Sequence, residues 1–127
     1  MDRDSNQEEI DRIKSDLEKY YVLGHAEYDP GLYKEILHPE WKMYHLENGN
    51  LAVVDRDEFC SWYEPHNQDP DLVWSFEIFT VDVTGDQALV KMSLENQQVM
   101  YIDYLSLLKV AGKWWIVHKI YHQVDKI

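Results

Sequence analysis

Asp103-Tyr104-Leu105-Ser106-Leu107-Leu108-Lys109, then Val110-Ala111-Gly112, then Lys113-Trp114-Trp115-Ile116-Val117-His118-Lys119-Ile120-Tyr121-His122 is the stretch that decides the fold. Two runs rich in aromatic and β-branched residues on either side of a short Gly-containing turn read as a β-hairpin that is apolar on both faces. A sheet covered on both sides needs two partners. The chain's own helices supply one and a second copy of the chain the other, which predicts a small dimeric α+β domain with a pocket. Ala111 tolerates positive φ poorly, so the expected turn is type I over Val110 and Ala111, with Gly112 left-handed in a bulge. That register sets Leu108 opposite Trp114, Ser106 opposite Ile116 and Tyr104 opposite His118 on one surface. On the other it sets Leu105 opposite Val117, Asp103 opposite Lys119 and Tyr101 opposite Tyr121. A two-residue turn shifts the pairing by one and moves Asp103 to the face of His118. The bulged turn is preferred, and it places Leu105, Leu107, Trp115, Val117 and Tyr121 on the face away from the helices, as the dimer surface. Asp103 and Lys119 then form an ion pair on that outer surface.

Composition bounds the rest. The 127 residues suffice for one domain, 1–127, with one hydrophobic core. A formal net charge of −12 disfavours nucleic acid and anionic membrane surfaces as partners, because both demand a basic footprint. The single cysteine, Cys60, excludes an internal disulfide. Met1 through Glu9 is acidic and polar, unlike a signal peptide, and no stretch is apolar for long enough to span a bilayer. The expectation is a soluble, cytoplasmic protein.

Working back toward the N-terminus, Ile10, Ile13, Leu17, Tyr20, Tyr21 and Gly24 recur at helical spacing among charged residues and predict an amphipathic helix of about six turns. Asp29-Pro30 supplies an N-cap and a first-turn proline for a short second helix carrying Leu32, Tyr33, Ile36 and Leu37, which Pro39 stops. Trp41–Glu47 and Asn50–Val54 flank Asn48-Gly49, a strong hairpin signal that pairs His45 with Ala52. Asp55 with Glu58 resembles a capping box and starts a helix carrying Phe59, Trp62 and Tyr63. Leu72–Thr84 and Gln87–Glu95 form a third hairpin about Gly85-Asp86, with Phe79, Val81 and Val83 aligned with Ala88, Val90 and Met92. The order helix, helix, hairpin, helix, four strands is that of an α+β domain with its helices on one face of a curved antiparallel sheet.

Tyr20-Tyr21-x-x-Gly24, Asp29, Leu37-His38-Pro39, Asn48-Gly49-Asn50-Leu51, Val81-Asp82-Val83-Thr84-Gly85-Asp86-x-Ala88, Asp103 to Lys109, and Gly112-Lys113-Trp114-x-Ile116-Val117-x-Lys119 together resemble the putative lumazine-binding family of the nuclear transport factor 2-like superfamily. The resemblance covers about residues 10 to 122. It implies a ketosteroid isomerase-like cone, N-terminal helices packed on a curved mixed or antiparallel sheet, a cavity between them, and a homodimer. Isomerases, dehydratases, polyketide cyclases and non-enzymatic modules share this fold, so fold alone does not assign function. The superfamily's steroid isomerases use a carboxylate base late in the first strand, a tyrosine on the first helix as oxyanion donor, and a protonated acid on a C-terminal strand. By spacing, the resemblance puts His45 at the base position, Tyr21 at the tyrosine and Ser106 at the acid.

Tyr21, His45, Tyr104, Ser106 and His118, with Trp41, Trp62 and Trp114 as walls, would make an aromatic pocket with few polar handles, as a small-molecule site requires. Tyr21, His45 and His118 are the candidate catalytic residues, expected to line one cavity. The bland alternative leaves Tyr104 and His118 as a satisfied cross-strand pair and the tryptophans as core. No metal or other cofactor is expected. His118 and His122, spaced i, i+4, would lie about 13 Å apart on a strand at ~3.3 Å per residue and cannot share an ion. His38 reads as a turn residue, and His25 and His66 as surface residues. The leading reading is a small-molecule-binding domain for a mostly apolar, planar aromatic ligand. The alternatives are a lyase or isomerase working by His/Tyr acid–base chemistry in the same cavity, and a dimeric association module without catalysis.

Overall fold

The charged and apolar residues between Glu8 and Gly24 do wind into a helix. Helix α1 (Arg3–Asp16) passes through a π-helical turn, Leu17–Val22, into α2 (Leu23–Ala26). The computed structural model describes residues 3–126. Ile13, Leu17 and Tyr21 of the apolar stripe are fully buried. Asp29 caps α3 (Pro30–Lys34) by accepting a 3.3 Å hydrogen bond from the Leu32 N–H, with Pro30 at the first helical position.

This helix is shorter than expected. Rather than running to Pro39, it ends at Lys34, and Leu37 and Pro39 already belong to β1 (Leu37–Glu47). The chain is captured by the sheet, since the Ile36 carbonyl accepts from the Ile116 N–H at 2.8 Å. Pro39, with no N–H to give, sits where the register of β1 slips between Leu37 and Lys42. Asn48 and Gly49, both at positive φ, close the hairpin to β2 (Asn50–Asp55) and pair His45 with Ala52 as expected. Asp55 accepts a 2.9 Å bond from the Glu58 N–H and starts α4 (Arg56–Ser61).

The remaining strands are β3 (Ser75–Thr84), β4 (Gln87–Glu95), β5 (Val99–Val110) and β6 (Lys113–Asp125). They complete a six-stranded sheet in the order β2-β1-β6-β5-β4-β3, in which β1 and β6 run parallel and the other neighbours antiparallel. The fold is α+β, with N-terminal helices packed on one face of a curved mixed sheet. In the β3–β4 hairpin, Val83 faces Ala88 and Val81 faces Val90 as expected. The register then slips, so Ile78, not Phe79, pairs with Met92, and the bulged Phe79 is exposed.

The hairpin that decides the fold departs from its expected register twice. Ala111 and Gly112 both adopt left-handed φ, +51° and +81°, so the turn is the two-residue type and Val110 faces Lys113. The twist match of that turn to the strands outweighs the strain at Ala111, about 1–2 kcal/mol. A bulge at Val117 then shifts the pairing again, from Leu107 opposite Ile116 to Ser106 opposite His118. Trp114 and Ile116 before the bulge and Lys119 after it all turn inward, with Asp103, Leu105 and Leu107 on β5. Leu105 and Leu107 are therefore core, and Tyr121 faces the pocket described below. Of the expected dimer surface only Trp115 and Val117 remain outside, where Leu89, Tyr104, Leu108 and Ile120 are exposed instead. Across the hairpin, Glu9 of α1 accepts from the Trp114 indole N–H and from Lys109 at 2.8 Å, tying the first helix to the turn end of the sheet.

Candidate functional site

Strands β5 and β6 carry one acidic and one basic side chain to the interior, and the site is built on them. Asp103 and Lys119 are buried at 0% and 5% exposure. They pair as expected, with Nζ 3.7 Å from Oδ2, but as diagonal neighbours and on the inner rather than the outer surface, because the two-residue turn and the Val117 bulge together place Asp103 opposite Tyr121 and Lys119 opposite Leu105. Above them the π-helical turn presents Tyr21, whose hydroxyl donates to Asp103 Oδ2 at 2.6 Å. π turns of this kind recur at functional positions. Lys119 Nζ lies 4.9 Å from the ring centre of Phe59, 5.3 Å from Tyr21 and 5.6 Å from Tyr121, a cage that suits an ammonium ion. Burial drives the Tyr21 hydroxyl well above its ordinary pKa, and the Asp103 charge adds to the effect. Burial lowers the pKa of Lys119, opposed by its carboxylate partner.

His25 corrects another expectation. It is 2% exposed rather than on the surface, because the helix continues through Ala26 and α3 folds back against it. Its ring stands edge-on to Trp74 at 4.2 Å and against Tyr63 at 4.7 Å, and its Nδ1 lies 2.6 Å from the Tyr33 hydroxyl. Burial, with the Lys119 charge second, holds its pKa well below the usual histidine value, so the imidazole is neutral. His25, Tyr63, Tyr101, Asp103 and Lys119 line one pocket of about 110 Å³, with Trp62 and Gln123 at its exposed rim. Two buried polar atoms of these lining residues, Asp103 Oδ1 and His25 Nε2, have no hydrogen-bond partner among the described residues.

The residues singled out from sequence do not converge as one cluster. Tyr21 reaches the site through Asp103, and Trp62 forms part of the rim. His45 shares the inner face of β1 with Trp41 and Met43, its ring 5.9 Å from Tyr121, but it stands outside the pocket lining. Trp41 is core against Phe59, and Trp114 is held by Glu9 at the turn end of the hairpin. Tyr104, Ser106 and His118 lie on the outer face, along a groove of about 560 Å³. The Val117 bulge thus separates His118 from Tyr21 and His45. Sequence reasoning missed Asp103, Lys119, His25, Tyr33, Tyr63 and Tyr101 as a site. The available signal was a pair of opposite charges in the middle of two strands rich in apolar residues.

By spacing, Ser106 falls at the acid position of a steroid isomerase. Asp103 occupies the place against the helix tyrosine instead. Its Oδ2 accepts from the Tyr21 hydroxyl and lies 3.7 Å from the Lys119 ammonium, so it acts here as a hydrogen-bond acceptor and not as a donor. Among the described residues no group of three or more His, Cys, Asp or Glu could hold a metal ion, and no helix is long and apolar enough to cross a membrane.

Helices closing over a curved six-stranded sheet define the nuclear transport factor 2-like class, and solved structures of that class match this chain. A nuclear transport factor 2-like protein of unknown function from Silicibacter pomeroyi DSS-3 is 24% identical, with a TM-score of 0.82 over 94% of this chain and 98% of that one. A second, from Shewanella baltica OS155, is 22% identical with a TM-score of 0.80, covering 92% and 94%. A third, from Methylobacillus flagellatus KT, is 22% identical with a TM-score of 0.78, covering 92% and 93%. These likenesses establish the fold. Among curated proteins, none matches. The family described as "Putative lumazine-binding" matches residues 8–122, and the chain belongs to it.

Proposed function

We propose that this protein is a small-molecule-binding domain whose ligand enters the Asp103–Lys119–His25 pocket. The observation that carries the reading is the pair of unsatisfied buried polar atoms, Asp103 Oδ1 and His25 Nε2, on residues lining a pocket with an exposed rim. An unsatisfied buried polar group costs about 1–3 kcal/mol, more when charged, and a ligand that completes its hydrogen bonds recovers that energy. The walls are aromatic, and at about 110 Å³ the pocket is below the roughly 300–1,000 Å³ of drug-sized sites, so it suits one ring with any larger substituent left at the rim. Ligand-observed NMR with single-ring compounds tests this. Binding should be detected and should be lost in Gln123→Trp, which plugs the rim without touching the core. Binding that survives the plug would place the site elsewhere.

The hydrogen-bonded set Tyr21–Asp103–Lys119 favours a second reading, a lyase or isomerase in which Asp103 Oδ1 takes a proton and the Lys119 ammonium balances the charge that develops. Turnover of a bound compound that ceases in a folded Asp103→Asn variant while binding persists would favour it.

The protein acts as a homodimer in this proposal. Leu89, Tyr104, Leu108 and Ile120 are exposed together on the outer face of β4, β5 and β6, and a contiguous apolar patch of this kind is unusual on a monomer. Light scattering should give a dimer for the wild type and a monomer for Tyr104→Arg combined with Leu89→Glu. A wild-type monomer at micromolar concentration would contradict this. The acidic charge and lone buried cysteine suit a reducing, cytoplasmic setting without nucleic-acid or membrane partners.

A further inference from the structure

The unsatisfied buried atoms of two pocket-lining residues differ in kind, and the difference restricts what can bind. Asp103 already uses Oδ2 for the Tyr21 hydroxyl and for Lys119, so Oδ1 is a carboxylate oxygen that only a donor can satisfy. At His25, Nδ1 faces the Tyr33 hydroxyl, and that hydroxyl has no other hydrogen-bond partner among the described residues. When the hydroxyl donates to Nδ1, the imidazole proton resides on Nε2, which becomes a donor. In that tautomer the site offers one acceptor and one donor.

Its formal charges cancel, because the Lys119 ammonium is matched by Asp103. An anion entering here would bring a second negative charge against Oδ1 in a desolvated space, where repulsion is strong. One flanking surface is flat: Tyr101 lines the pocket and is backed by Trp74, nearly parallel at 12° with centroids 6.2 Å apart, and Tyr63 stands beside His25.

We propose that the pocket selects uncharged, single-ring molecules carrying an N–H or O–H donor beside a carbonyl-type acceptor, cyclic amides and cyclic ureas being the simplest. Asp103 Oδ1 accepts from the donor and His25 Nε2 donates to the acceptor, and carboxylates of the same size are rejected. This rests on the pocket being the binding site.

The test compares three probes by ligand-observed NMR titration of the full chain: 2-pyridone, N-methyl-2-pyridone and benzoate. The methylated probe removes the donor from the ligand, so the comparison does not depend on the folding of a variant that leaves Lys119 unpaired. 2-Pyridone should bind about tenfold to a hundredfold more tightly than either of the others, the range expected for losing a hydrogen bond to a charged group. Its affinity should also fall about tenfold in His25→Phe, whose fold is checked by circular dichroism. Equal binding of all three probes, abolished by Gln123→Trp, would overturn the selectivity and leave the pocket as a binding site. Binding of none of them, or binding indifferent to Gln123→Trp, would overturn both.

Discussion

Lys119 is the residue on which the interior depends most. Its ammonium is removed from water and held by Asp103 and three aromatic rings. Replacing it alone strands a buried carboxylate, so Lys119→Met should cost about 3–5 kcal/mol of unfolding free energy. Lys119→Met combined with Asp103→Asn, which keeps an acceptor for Tyr21, should be the more stable of the two in urea denaturation. A double variant weaker than the single would show that the pair does not act as a unit. His25 gives a pH signature of known sign. Its folded-state pKa lies below the unfolded value near 6.5. As pH falls, the unfolded chain therefore takes up a proton that the folded one refuses. Stability is whole above about pH 6.5 and declines below it, by up to ~1.4 kcal/mol per pH unit until the folded pKa is reached. Between pH 7.5 and 5.5 the stability of His25→Gln should fall less steeply than that of the wild type. Parallel curves would contradict the buried neutral imidazole.

At the scale of elements, what could be read from sequence was what depends on local chemistry. The Asn48-Gly49 turn, the Asp29 and Asp55 caps and the charged-apolar period of α1 each rest on residues within one turn of one another, and each stands where it was expected. Apart from the Ala111-Gly112 turn, the misplaced features depend on long-range pairing. Alternation along β6 assigns Lys119 and Trp114 to opposite faces, and only the bulge at Val117, recorded in its pairing with β5, brings both inward. The two-residue turn sends Tyr104 and Ser106 outward and that one extra residue sends His118 after them, which exchanges the expected pocket for the observed one. Gly24 links local and tertiary scales. A Cβ at this position would stand 3.1 Å from both the backbone nitrogen and the Cγ of Tyr33, which is itself fully buried against Tyr21, Phe59 and Tyr63. Gly24→Ala gains up to about 1 kcal/mol of helix propensity and loses about 1–3 kcal/mol to overpacking. It should therefore be less stable by about 1 kcal/mol in chemical denaturation and weaken ligand binding through the Tyr33–His25 hydrogen bond. A stabilised variant would mean that α3 yields freely.

The whole molecule divides its chemistry between the two faces of one sheet. The inner face gathers Asp103 and Lys119 beneath Tyr21 and His25 of the helices, while the outer face presents Tyr104, Leu108 and Ile120 to the surroundings. In this account ligand belongs to the first and a second copy of the chain to the second. The outer groove, at about 560 Å³ against about 110 Å³ for the pocket, is the larger concavity, so volume alone would choose the wrong face. The buried charges and unsatisfied polar atoms favour the inner one. The direct measurement is a crystal structure of the full chain soaked with 2-pyridone. Ring density is expected inside the pocket, with its N–H on Asp103 Oδ1 and its carbonyl on His25 Nε2. Ring density confined to the outer groove along Tyr104 and His118, with the inner pocket closed by its own side chains, would contradict it.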